Sequence, residues 1–215
     1  MAAVVYQHSF DARRRLAELG ISVEALIKAI KAGHLARISC TDNDPPFIPG
    51  TEAWRFVVRT LREELLKLGW RKADPSNFSL VINDKRKINI GVESGDELTR
   101  IFPGNPTTKS LKGLLTEAVI LRNSVREDLF PETLDERLRR AATILEHPTW
   151  VLLIYITDEE YRAELSYPDA MGEAQITSWK ERIFIPDDLD DGGAARVSPE
   201  DDIDPDFDIP VRRKG

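Results

Sequence analysis

Trp150-Val151-Leu152-Leu153-Ile154-Tyr155-Ile156 is the longest strongly apolar run in the chain, and its reading decides the fold class. A membrane-spanning helix needs about 20 apolar residues, so this run is far too short to cross a bilayer. A strand without polar alternation belongs where both of its faces are covered. The run, bounded by Pro148 and by Asp158-Glu159-Glu160, therefore predicts a central strand buried on both sides.

Downstream, shorter strands are expected at Arg162 to Tyr167, Gln175 to Trp179 and Arg182 to Ile185. Upstream, Thr133 and Glu136 form a capping box for a helix carrying Leu134, Leu138, Ala141, Ala142 and Leu145 on one side, and another helix is expected from Leu114 to Arg126. Phe78, Leu80 and Ile82 alternate with smaller residues, as do Ile88, Ile90 and Val92 with polar ones and Gly91, so the intervening Asn83-Asp84-Lys85-Arg86 predicts a hairpin.

Nearer the start, Thr51 opens a helix with Trp54, Val58, Leu61, Leu65 and Leu68 inward, ending at Gly69. Ser9 is read as the N-cap of a helix closed by Gly20, and Ser22 as the cap of a second carrying Val23, Leu26, Ile27 and Ile30. Between them and Thr51, Pro45, Pro46 and Pro49 argue for a loop. Helices, a hairpin, helices and then a run of strands give an α+β fold, a mostly antiparallel sheet packed with helices. The expected division is an N-terminal helical hairpin over 1–35, a Pro-rich loop over 36–51, an α+β body over 52–186 and an acidic, extended C-terminal tail over 187–215.

The net charge of −7 is concentrated in that tail. Of 37 acidic and 30 basic residues, ten and four lie beyond Pro186, which leaves 27 and 26 in the rest. A nearly neutral body exerts no bulk attraction on nucleic acid, although a local basic patch still can. The single Cys40 forms no intramolecular disulfide, which suits a reducing compartment, and the start MAAVVYQHSF lacks the pattern of a signal peptide. A cytoplasmic protein without a membrane role is expected.

Several chemistries lose their support in the sequence. His8, His34 and His147 are scattered and there is one Cys, so a structural zinc is not expected. There is no G-x-S-x-G elbow, and a restriction-type nuclease lacks its [DE]-x-K triplet. In Gly104 to Ser110, GNPTTKS, the terminal Lys-Ser matches a phosphate-binding P-loop, but Pro103 and Thr108 stand where glycines are required and Pro106 removes a donor. The first two helices superficially resemble a helix-turn-helix around Gly20-Ile21-Ser22, yet Leu16 occupies the position that needs a small residue, and Val23, Glu24 and Ile27 are a poor surface for reading bases. No cofactor is called for.

Three surfaces remain. Glu93, Asp96 and Glu97 follow one predicted strand and Asp158, Glu159 and Glu160 follow the central one; if the strand ends adjoin, Glu93 and Asp96 are candidate metal ligands, and otherwise these are solvated loop acids. Thr107, Thr108, Lys109, Ser110 and Lys112 precede a helix and form a candidate anion site, against the plain alternative of N-capping with surface lysines. In the tail, Ile203, Phe207, Ile209 and Val211 are interspersed among acids and offer spaced side chains to a partner's groove, against the alternative of a solvated tail. The leading expectation is a non-catalytic intracellular interaction or accessory protein whose tail engages a protein partner or another copy of itself. The alternative is a nucleotide- or nucleic-acid-binding protein, or a metal-dependent enzyme, using the loop over 94–113.

Overall fold

The computed structural model describes residues 3–109, 114–124, 136 and 145–186. Its elements are β1 (Val4–Tyr6), α1 (Ser9–Leu19), α2 (Val23–Ile38), α3 (Ile48–Lys67), β2 (Arg71–Ala73), β3 (Leu80–Asn83), β4 (Ile88–Ser94), α4 (Leu114–Ser124), β5 (Thr149–Ile156), β6 (Tyr161–Gly172) and β7 (Gln175–Phe184). The strands form one seven-stranded sheet in the order β1-β7-β6-β5-β4-β3-β2, with β5 at its centre. The sheet is mixed: β1 with β7 and β4 with β5 are parallel, and the other neighbours are antiparallel. The fold is α+β, and no described helix is long and apolar enough to cross a membrane.

The central run is unbroken because both faces of β5 are covered. Trp150, Leu152, Ile154 and Ile156 enter one large core with α1, α2 and α3, while Val151 and Leu153 join Ile176 and Trp179 on the other face. Farther along that second face, Leu80 and Ile82 pack with Ala118 and Val119 of α4 and with Leu145. Alternation survives as alternation between two interiors.

The helical layer forms for local reasons that the sequence states. Gly20 takes the left-handed conformation (φ 71°), and the amides of Gly20 and Ile21 close α1 on the carbonyls of Ala17 and Leu16, each at 2.9 Å. Ser22 Oγ then accepts the Ala25 amide at 3.1 Å and starts α2. Helices α2 and α3 approach closely at Gly33, where an added Cβ would lie 2.8 Å from the Ala53 carbonyl oxygen.

Five expectations need correction. His8 is the N-cap of α1, and Ser9 instead accepts Arg13 Nε at 3.3 Å. Helix α2 runs three residues past 35, and α3 starts at Ile48 rather than Thr51, because a proline in the first turn lacks only an amide that would have no helical partner. Leu68 is the C-cap of α3 and exposed, whereas Val57 is fully buried. Gln175 to Trp179 and Arg182 to Ile185 are not two strands but one, β7, in which Glu181 pairs with Tyr167 and Lys180 is skipped at a register shift before Trp179 pairs with Pro168. The helix expected from Thr133 to Leu145 falls outside the described residues apart from Glu136 and Leu145, and the acidic tail from Asp187 onward lies wholly outside them.

The Gly/Pro-rich segment after β4 covers the second face of the sheet. Trp179 Nε1 donates to the Pro106 carbonyl (2.8 Å), Gln175 Nε2 to the Thr108 carbonyl (2.7 Å), and Thr108 Oγ1 accepts the Ile176 amide (3.1 Å). Beneath it lies an ion pair, Arg182 Nη2 to Glu164 Oε2 at 2.6 Å and Arg182 Nε to Glu164 Oε1 at 2.8 Å, with the two side chains 3% and 0% exposed. Each charge also holds the loop. The Arg100 amide donates to Glu164 at 2.8 Å, and Arg182 donates to the carbonyls of Gly104 and Ile101.

Candidate functional site

A cavity of about 400 Å³ opens where the first two turns of α3 meet the end of α2 and the C-terminal ends of the parallel strands β4 and β5. Its wall is apolar at Trp54, Ala53, Ile154 and Ile156, and the exposed ring of Phe47 stands in the same lining. Trp54 is fixed there because its Nε1 donates to the Val92 carbonyl at 3.0 Å. The volume lies within the 300 to 1,000 Å³ typical of small-molecule sites.

Three positive features converge on this space. Arg37 lines it from α2, and its Nε pairs with Asp158 Oδ1 at 2.8 Å, an acid whose side chain is 75% exposed. The Arg37 side chain is 23% exposed, and with a partner as exposed as Asp158 such a pair contributes about 0 to 1 kcal/mol. Lys109 lines the cavity next to Ser94, to whose carbonyl its amide donates at 2.8 Å, and its ammonium lies 5.0 Å from the centroid of the Tyr155 ring. The third feature is the start of α3, a 20-residue helix with no acid in its first turn and no side chain capping it. A helix N-terminus carries about half a positive charge. In this first turn the Ile48 amide already donates to the Pro45 carbonyl at 2.9 Å and Pro49 has no amide, so the charge of the helix end rather than a row of open donors is what it offers.

The sequence candidates are distributed unevenly about this cleft. Glu93 and Lys109 both line it. Glu93 is opposite Leu153 in the β4–β5 register, so its side chain belongs to the row on the loop side of the sheet. Asp96 is employed elsewhere: its carboxylate accepts the amides of Leu98 (3.1 Å) and Thr107 (2.9 Å) and the Thr107 hydroxyl (2.8 Å). Thr108 is buried and bound to β7, so the hydroxyls of Thr107 and Thr108 brace the loop. Ser110 and Lys112 lie outside the described residues, as do Ile203, Phe207, Ile209 and Val211. Glu97 is exposed, and Glu160 pairs with Arg162 at 3.2 Å.

Arg37, Phe47 and Trp54 were not singled out as site residues from the sequence, where Thr51 and Glu52 offer a helix start with its own cap and acid and so conceal the start at Ile48. A second grouping also escaped it. Asp84, Glu146 and His147 place one ligand atom each within 4.8 Å of one another. A cation already sits among them: Arg71 bonds Asp84 at 2.8 and 3.1 Å and Glu146 at 2.5 Å, while His147 Nε2 meets Asp84 at 3.0 Å. Arg71 and then His147 hold the Asp84 carboxyl well down, at about 2. Cys40 is no activated nucleophile: burial and the nearby Asp44 and Glu52 push its thiol up.

Compared with protein-family models, with curated proteins and with solved structures, the chain matches none.

Proposed function

We propose that the protein binds a phosphate-bearing ligand of the nucleotide class in the cleft between α3 and the ends of β4 and β5. The observation that supports this reading is the meeting of Lys109, Arg37 and the uncapped, acid-free start of α3 on one cavity. The phosphate lies against the helix N-terminus with Arg37 and Lys109 as counter-charges, the common arrangement by which a helix start holds an anion. The planar part of the ligand rests on Trp54 and Phe47. A protein that acts only through its tail, the other expectation from the sequence, has no use for this concentration of positive charge beside an apolar wall.

Thermal-shift titration tests the reading with inorganic phosphate, mononucleotides and a short single-stranded oligonucleotide. At about 100 times Kd a ligand stabilises its protein by about 2.7 kcal/mol, or about 5 to 10 °C for a fold of this size. The shift is expected for a nucleotide, reduced in Lys109→Ala and abolished in Arg37→Ala/Lys109→Ala. Lys180→Ala, a lysine that faces Asp169 and the Tyr167 ring, is the control and keeps the shift. An equal shift in the double variant and the wild type, or no shift with any phosphate compound, removes the proposal.

A further inference from the structure

A second cavity of about 400 Å³ runs along the outer side of α3, independent of the phosphate reading. Its apolar residues are Trp54, Val58 and Leu66, and around them stand Arg55, Arg59 and Arg62 of α3 and Lys72 of the edge strand β2, against the single acid Glu63. Two arginines are held by surface pairs, Arg55 with Glu52 at 2.6 Å and Arg59 with Glu63 at 2.9 Å, whereas Arg62 is largely enclosed and bound to Asp74 at 2.6 Å and to the carbonyls of Ala73 and Leu80. Exposed pairs between neighbours on a helix exchange readily for a better anion. An apolar floor with a basic rim fits a segment that alternates apolar and acidic side chains.

The chain contains one such segment. From Asp202 to Val211 every even position through 208 is aspartate, while Ile203, Pro205, Phe207, Ile209 and Val211 take the odd positions. A period of two puts the apolar side chains on one side of an extended backbone and the acids on the other. This period, together with the acids Glu200 and Asp201 just before it, is the complement of the groove in both charge and polarity.

Reach does not prevent the contact. The described body ends at Pro186, beside Ile27 and Ile30 of α2, in the same helical layer as α3. Sixteen residues lie between Pro186 and Ile203, so the chain can span about 56 Å between them when extended. A body of this size has a radius of gyration of about 16 Å, so a linker of that reach passes well beyond a quarter of the way round it.

We propose that residues 202–211 of the tail dock in the α3 groove of the same chain, with Ile203, Phe207 and Ile209 on Trp54, Val58 and Leu66 and the aspartates against Arg55, Arg59 and Lys72. Because Trp54 lines both cavities, the docked tail bears on the wall of the ligand cleft.

Zero-length carboxyl-to-amine cross-linking of the full-length protein, mapped by mass spectrometry, tests this. Lys72 is the amine in the groove, and the expected product joins it to an aspartate between 202 and 208 within a band of monomer mass. Replacing Ile203, Phe207 and Ile209 with Ser retains every charge and is expected to lower that product more than about tenfold, the loss of at least one apolar anchor's burial. Arg55→Glu/Arg59→Glu, shown to be folded by an unchanged thermal transition, is expected to do the same. A product confined to a dimer-mass band would mean that a second copy supplies the tail and overturns docking within one chain. Undiminished product in the Ser variant would mean charge attraction alone, and absence of any Lys72-to-tail product in the wild type would mean that the groove serves something else; either overturns the proposal.

Discussion

Replacing Arg182 with Met removes one charge from the buried pair beneath the loop and keeps most of the side chain's volume. In the wild type Glu164 accepts from Arg182 Nε at 2.8 Å and Nη2 at 2.6 Å, from Ser166 Oγ at 2.7 Å and from the Arg100 amide at 2.8 Å. The variant leaves a carboxylate of 0% exposure with only the last two, neutral donors. Breaking a buried pair by removing one partner costs about 3 to 5 kcal/mol. The surviving donors move the expectation toward the lower end. The carbonyls of Gly104 and Ile101 lose their donor as well, but neither residue is buried and water can replace it, so that loss adds little. A loss of about 3 kcal/mol is therefore expected, a large part of the 5 to 15 kcal/mol typical of a folded domain.

Urea denaturation of the full chain measures this loss, and a double-mutant cycle gives its origin. Glu164→Leu/Arg182→Met removes both charges, so it is expected to be less destabilised than the sum of the two single variants by at least about 2 kcal/mol. Because the pair anchors the segment that ends in Lys109, Arg182→Met is also expected to weaken phosphate binding under conditions where it remains folded. A single-variant cost below about 1 kcal/mol, or a double variant equal to the sum of the singles, would refute the reasoning that this pair holds the loop to the sheet.

Leu153→Asp buries a charge between the second face of the sheet and its loop, where Leu153 is fully enclosed, and is expected to prevent soluble folding; a soluble variant with an unchanged melting transition counts against β5 as the central strand. Asp96→Ala releases three hydrogen bonds within the loop and is expected to cost about 1 to 3 kcal/mol and to speed amide exchange at Leu98 and Thr107, with Asp96→Asn recovering part of the protection; unchanged exchange at both amides would remove the bracing role. The Asp84 carboxyl is lowered from 3.8 to about 2 in the folded chain, so its contribution to stability is complete above pH 4 and is lost as the pH falls toward 2. Asp84→Asn is expected to flatten the stability profile in that window, and an identical acid limb in both proteins would show that the Arg71 and His147 contacts do not act on stability.

What could be read from the sequence was what burial and capping write locally. Trp150 to Ile156 carries its central position in its composition, and Gly20 and Ser22 carry the turn between α1 and α2 in their chemistry. Elements stabilised by their neighbours left weaker marks. Strands β1 and β2 have three residues each, too few to show a period, and exist because β7 and β3 offer open ladders beside them. Lys180 and Glu181 break the apolar run of β7, yet Glu181 remains in the ladder opposite Tyr167 and Val4, and its carboxylate holds Arg15 of α1 at 2.5 Å.

The cleft was half legible for a related reason. Lys109 and Glu93 flank the Gly/Pro-rich loop, and a loop that long in a compact fold is the kind of segment from which sites are commonly built. The hydroxyls and acids inside that loop, however, look the same in sequence whether they face a ligand or satisfy the loop's own backbone. A loop laid over a sheet face must find partners for its buried amides and carbonyls, because each one left unpaired costs as much as a lost hydrogen bond. Asp96, Thr107 and Thr108 meet that requirement, and the requirement explains why side chains chosen for ligand chemistry turn inward. Arg37, Phe47 and Trp54 carried no such ambiguity and no signal either, since each is an ordinary residue of a helix or its cap until α2, α3, β4 and β5 bring their ends together. Residues of a site assembled from four elements leave no mark of their own, and even the acid-free start of α3 at Ile48 was hidden, because Thr51 and Glu52 offer a cap and an acid three residues later.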